Sequence, residues 1–265
     1  MTGVLDGQVA VITGAGEGIG RGVALELARA GADICVNDIR DPEEVQPLLA
    51  ELESLGVRAL YVRTDVRDRP GMEAMADRVE SLWGPVSIVV SNAVTSQRHT
   101  LLDTPLEELV QAVDVGIYGA FHALQVFASR MVSHKVHGSI IQMTSPWAYL
   151  PYAGGMDYRI VKSAQHQMAL SLATELMSYG IRVNVLEPGW VETEGEHRWH
   201  SAESMRQASK TLPLGRLCTP EETGRAAVYL CSEPYITGTH LKIDGGLTLN
   251  YYSAAGLAGT RPEDR

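Results

Sequence analysis

VAVITGAGEGIG, residues 9–20, decides the fold. VAVIT has no polar face, which suits a strand buried on both sides, as in a parallel sheet. It runs straight into Gly14, Gly16, Gly18 and Gly20. Glycines there let the backbone turn sharply and approach a pyrophosphate, which then rests on the N-terminus of the following helix. The spacing is TGxxxGxG, not the common GxGxxG, so an ordinary glycine-rich turn stays open as an alternative.

Working outward, the next apolar run ends in Asp38, eighteen residues after Gly20. An acid at that place hydrogen-bonds ribose hydroxyls and repels a 2′-phosphate, which favours NAD over NADP. Glu17 adds negative charge inside the turn. Arg40 opposes it, either lying over an adenine or pairing with Asp41. Asp65 closes the third run, placed to meet an adenine or to cap a helix.

Similar runs recur at residues 9–13, 34–38, 59–65, 86–92, 139–145, 181–189 and 240–246. Helical patterns lie between them: Ile19–Arg29, Pro42–Leu55, Gly71–Trp83, Leu106–Ser133, Asp157–Tyr179 and Pro220–Cys231. Regular alternation implies an α/β architecture with crossover helices. No linker or repeat interrupts it, so residues 1–250 are expected to form a single dinucleotide-binding and catalytic domain. The irregular stretch at about 190–213 reads as a substrate lid, and residues 251–265 as a tail.

The 265 residues carry a formal charge of −10, which disfavours nucleic acid, anionic membranes and an acyl carrier protein as partners. Cys35, Cys218 and Cys231 are far apart and form no CxxC pair, so reduced thiols are expected. No signal peptide or membrane span is evident, and a cytoplasmic protein is expected.

Tyr158 and Lys162 are four residues apart at the start of a helix, so they share one face. A tyrosine of ordinary pKa near 10 transfers protons poorly near neutrality, and a neighbouring ammonium lowers that pKa. Ser145, at the end of a strand run, can donate to a carbonyl oxygen held against Tyr158.

TGAGEGIG, Asp38, Asp65, SNA at 91–93, Ser145, YRIVK at 158–162, PGWVET at 188–193 and IDGG at 243–246 come in one order. Their order and spacing resemble the short-chain dehydrogenase/reductase family, over about residues 5–247. The resemblance implies a three-layer Rossmann-type fold with a mostly parallel seven-stranded sheet, a homotetramer, and hydride exchange between NAD and a secondary alcohol or ketone. By position it makes Tyr158 the general acid/base, Lys162 the group that holds the nicotinamide ribose and tunes Tyr158, and Ser145 the orienter of the substrate oxygen. Gly14, Gly16, Glu17, Gly18, Ile19, Asp38, Asp65 and Val66 become cofactor-binding. So do Asn92, Pro188, Gly189, Val191 and Thr193, together with Tyr158 and Lys162.

Two positions depart from the family pattern. Val94 stands for a glycine, so the backbone there must avoid positive φ. Gly116, in DVGIYGAF at 114–121, stands where the family carries an asparagine that holds a water linking the lysine to solvent. Water, Tyr118 or Ser91 is expected to fill that space, and Gly119 to serve close packing.

Trp147, Tyr152, Trp190 and Trp199 crowd the expected substrate loops, and aromatic walls suit rings or sugars. Glu192, Glu194 and Glu196 would repel an anionic substrate unless Arg98 or Arg198 answers it. A neutral polyol, sugar or cyclic substrate is therefore expected. EGEHRWH at 194–200 lacks the spacing of a metal motif, and no metal is expected. A nucleotide-binding sensor or scaffold with weak or no catalysis is the alternative.

Overall fold

A computed structural model describes residues 3–251 except 152 and 199. Seven strands form one parallel sheet: β1 (Val9–Thr13), β2 (Asp33–Asp38), β3 (Ala59–Arg63), β4 (Ile88–Ser91), β5 (Ser139–Met143), β6 (Arg182–Pro188) and β7 (His240–Ile243). Their order is β3-β2-β1-β4-β5-β6-β7. The order reverses between β1 and β4, and ligands of open α/β sheets bind in the crevice at such a reversal.

Alternate strand residues feed two cores. Ala10, Ile12, Ile88 and Val90 pack under α1 (Gly18–Arg29), α2 (Pro42–Ser54) and α9 (Pro220–Ser232). Val9, Val11 and Val89 pack under α3 (Arg69–Trp83), α5 (Ala120–His134) and α6 (Met156–Leu176). Helix starts follow local chemistry. Pro42 and Pro220 stand in first turns, and Asp41–Glu44 and Thr219–Glu222 close capping boxes.

The expected helix over Leu106–Ser133 is not uniform. It divides into α4 (Leu106–Val113), a π-helical turn (Asp114–Gly119) and α5. The two glycines in this turn meet different neighbours. A Cβ on Gly116 would stand 2.3 Å from Val161 Cγ1 of α6, and one on Gly119 would stand 2.4 Å from Val66 Cγ2. Gly119 thus has the packing role expected of it.

The lid is more ordered than expected. Thr193 caps α7 (Glu194–His197) and Ser201 caps α8 (Ala202–Ser209), each side chain accepting a backbone N–H three residues on. A further helix, α10 (Leu247–Tyr251), begins directly after Gly246. Among the described residues no helix is long and apolar enough to cross a membrane. The three cysteines are free. Burial pushes the Cys35 and Cys231 thiols up to about 12, which keeps both protonated and unreactive.

Candidate active site

The glycine turn is a cradle with little spare room. Gly14 has φ +62°, and a Cβ on Gly20 would lie 2.2 Å from the Gly14 carbonyl oxygen, so only glycine lets α1 press onto the turn. The Gly16 N–H donates to Asp38 Oδ2 at 2.9 Å, and the Gly18 N–H, opening α1, donates to Glu194 Oε2 at 3.2 Å. A carboxylate seated on this helix N-terminus shows that the place accepts an anion, and a pyrophosphate fits the same donors. Ile19 is partly buried against the first core.

Charges around the turn pair differently from expectation. Arg40 pairs with Glu17 and with Glu44 (3.0 Å), while Asp41 takes Arg63 (2.7 Å). Arg198 reaches from the lid to Glu17 (2.7 Å). Asp65 is chelated by Arg67 (2.7 Å), whose hydrogen bonds hold the carboxyl below its usual range. The cap of α3 is Asp68, not Asp65. Val66 turns its side chain into the second core beside Gly119, which leaves only its backbone for a ligand.

Asn92 staples β4 to the turn. Its amide donates to the carbonyls of Thr13 (3.0 Å) and Gly14 (2.9 Å), and its N–H donates to Thr13 Oγ1 (3.0 Å). Val94 has no positive φ; in this loop Arg98 takes the left-handed conformation instead, at φ 60°.

Ser145 lies just past the carboxyl end of β5, buried, and caps the short turn Pro146–Ala148. Tyr158 and Lys162 project from the first turns of α6. The Tyr158 hydroxyl faces Ser145 closely enough for that side chain to lower its pKa. Burial holds the phenol above its ordinary pKa, against Ser145 and the nearby Arg98, both of which lower it. Lys162 Nζ stands 5.6 Å from the Tyr158 ring centre and donates to the Met143 carbonyl (2.8 Å) and to Gln165 Oε1 (2.9 Å).

Residues after β6 lie against this edge. Thr193 lies against Gly18, its Cγ2 3.4 Å from where a Cβ there would stand. Glu196 takes the Arg98 guanidinium and accepts from Trp190 Nε1 at 2.9 Å. Trp147 and Trp190 are half-buried. Val191 is buried and bridges to Cys218, and the Gly189 N–H is tied to the Ile243 carbonyl (3.2 Å) after Pro188 ends β6. Tyr152 and Trp199 lie outside the described residues. Among the described residues no three His, Cys, Asp or Glu gather as a metal would need.

A family model described as "Enoyl-(Acyl carrier protein) reductase" matches residues 14–248. L-rhamnose 1-dehydrogenase (NAD(P)(+)) of Sphingomonas sp. is 33% identical, covering 93% of this chain and 98% of its own length. The chain belongs to the short-chain dehydrogenase/reductase family. Oxidoreductase UcpA of Salmonella typhimurium is 35% identical over 93% of this chain and 97% of its own. The crystal structure of a short-chain type dehydrogenase/reductase from Mycobacterium marinum superposes with a TM-score of 0.84, at 32% identity, over 92% of this chain and 96% of that one. Family membership carries with it NAD(P)-dependent oxidoreductase chemistry.

Within this dehydrogenase/reductase, sequence reasoning missed Gln165. Neither Tyr118 nor Ser91 fills the space at Gly116. Val161 packs against it, and Gln165 Nε2 donates to the Gly116 carbonyl at 2.7 Å. A signal was present: Asp157, Val161, Gln165, Ala169 and Ala173 form the buried seam of α6, and a polar residue inside such a seam needs partners. Glu187 was missed too. Wholly buried before Pro188, it accepts from the Tyr149 hydroxyl (3.0 Å) and faces His166 Nδ1 (3.0 Å).

Lys162 is 2% exposed, and burial brings its ammonium down to about 7. Above that pH the folded chain has lost a proton that the unfolded chain keeps until about 10.4. Stability therefore rises with pH across that window. Lys162→Met lacks this dependence. Its melting temperature relative to the parent should gain steadily as pH falls from about 10 to about 7, then level off; calorimetry across that range checks it.

Proposed function

We propose that the protein is an NAD-dependent dehydrogenase interconverting a neutral secondary alcohol and a ketone. The observation that carries this reading is the Tyr158 hydroxyl facing Ser145, with Lys162 Nζ 5.6 Å from its ring centre, at the carboxyl edge of the sheet. Residues 1–250 act as one unit in this reading. The turn Gly14–Ile19 would hold a pyrophosphate, Asp38 a ribose, and the backbone around Val66 an adenine. Asn92, Lys162 and the segment Pro188–Thr193 would hold the nicotinamide end. Bound there, the cofactor supplies the hydride acceptor. The chain does the remainder. Ser145 orients the substrate oxygen, and Tyr158 takes its proton in oxidation and returns it in reduction. Lys162, held near Tyr158, stabilises the phenolate.

Charge supports NAD and a neutral substrate. Asp38 and Glu17 flank the place a 2′-phosphate would occupy, and Arg40 is already shared by two acids. Arg98 is clasped by Glu196 and Arg198 by Glu17, so neither is offered freely to an anionic substrate. Trp147 and Trp190 suit a ring or sugar face. A neutral sugar is also named for the Sphingomonas relative. A chain of charge −10 is a poor partner for an acidic acyl carrier protein. The exposed apolar residues Leu106, Val110, Tyr118 and Phe121 of the α4–α5 segment support assembly as a homotetramer. A cytoplasmic setting accords with its free cysteines.

Screening sugars, polyols, cyclic alcohols and steroid alcohols with NAD, and in parallel with NADP, tests the reading by the absorbance of the reduced nicotinamide. Turnover of enoyl thioesters with none of these alcohols would overturn it. Asp38→Ser should narrow the preference for NADH over NADPH, read by fluorescence titration, by about tenfold, the scale of one removed charge contact.

A further inference from the structure

We propose that Gln165 is a positioning residue for Lys162, and hence for proton transfer at Tyr158; the inference rests on the roles given to those two residues above. Gln165 is wholly buried on α6. Its Oε1 accepts from Lys162 Nζ at 2.9 Å while its Nε2 donates to the Gly116 carbonyl at 2.7 Å. An amide does both at once: a carboxylate has no donor for the carbonyl, and an aliphatic side chain answers neither.

The consequence is orientation. A lysine ammonium has three N–H donors. Met143 and Gln165 take two of them in fixed directions. The third is left to serve the site side. The Gly116 carbonyl anchors the amide because the π-turn brings it to α6, and Gly116 itself has no side chain to block that approach. Val161, one turn before Gln165, fills the remaining space. A neutral amide does not pass protons readily, so Gln165 holds the lysine and is not a conductor.

The hydrogen bond to Oε1 also favours the charged amine, against the burial that lowers its pKa. The charges that act on the Tyr158 phenol are Arg98, after β4, and Glu196, on α7; at Lys162 burial is the cause of the shift. β5 contributes only the Met143 carbonyl. None of these charges is altered by replacing Gln165, so a change in titration reports the amide.

The test compares Gln165→Met, of similar volume, with Gln165→Ala, whose space admits water. In Gln165→Met the acid limb of kcat/KM for alcohol oxidation should move up by about one pH unit, with kcat about tenfold lower. The ultraviolet phenolate titration of Tyr158, isolated by subtracting Tyr158→Phe, should move the same way and needs no substrate. NADH affinity should stay within about twofold, and Gln165→Ala should recover part of the shift. An unmoved limb and an unmoved phenolate titration would overturn the proposal. So would a loss of kcat matched by equal losses of NADH binding and thermal stability with the limb in place. Retained activity in Tyr158→Phe would instead mean that the underlying reading had failed.

Discussion

Tyr158→Phe should turn over alcohol about a hundred- to ten-thousandfold more slowly than the parent while binding NADH with nearly the same affinity. The substitution removes one oxygen and leaves the ring, so the Lys162 ammonium keeps its place behind it. What disappears is the hydroxyl facing Ser145 to which the proton exchange with the substrate oxygen is assigned in this proposal. The dinucleotide contacts proposed for the glycine turn and Asp38 would lie on other elements and would be untouched. Single-turnover kinetics with stopped-flow detection, beside a fluorescence titration, separates the two quantities. Undiminished turnover would sink the assignment of Tyr158.

Gly116→Asn should lower thermal stability by several degrees and turnover by about a hundredfold. A Cβ there would meet Val161 Cγ1 at 2.3 Å and Cγ2 at 3.2 Å. Overpacking of that kind costs about 1–3 kcal/mol. Val161 lies between Tyr158 and Lys162 on α6, so relief by moving it disturbs both. The new amide would also approach the carbonyl that Gln165 holds. Adding Val161→Ala to the same chain should restore most of the melting temperature, because the clash is with that side chain and not with backbone. Faster turnover in Gly116→Asn would show that the glycine impairs the site.

Most of the fold was legible because its signals are local. Strands buried on both faces read as short apolar runs, and proline, aspartate and threonine marked helix starts at α2 and α9. Tyr158 and Lys162 were legible because one helical turn separates them. The π-turn was not, because it depends on what stands opposite each glycine: Val161 is 45 residues from Gly116 and Val66 is 53 from Gly119. The pairings of Arg98 with Glu196, of Arg198 with Glu17 and of Gln165 with the Gly116 carbonyl were hidden for the same reason; these partners lie 98, 181 and 49 residues apart. The short helices of the 190–213 segment, capped by Thr193 and Ser201, were obscured by crowded charge.

Glu194 carries a consequence for how a dinucleotide comes and goes. Its carboxylate rests on the Gly18 N–H, the donor that a pyrophosphate would claim. Arrival would then be an exchange of one anion for another, and the affinity would report only the difference between them. Departure would be assisted, because Glu194 is tethered nearby to reclaim the donor. Added salt weakens both competitors at that donor, so the exchange should be less sensitive to ionic strength than a plain phosphate site.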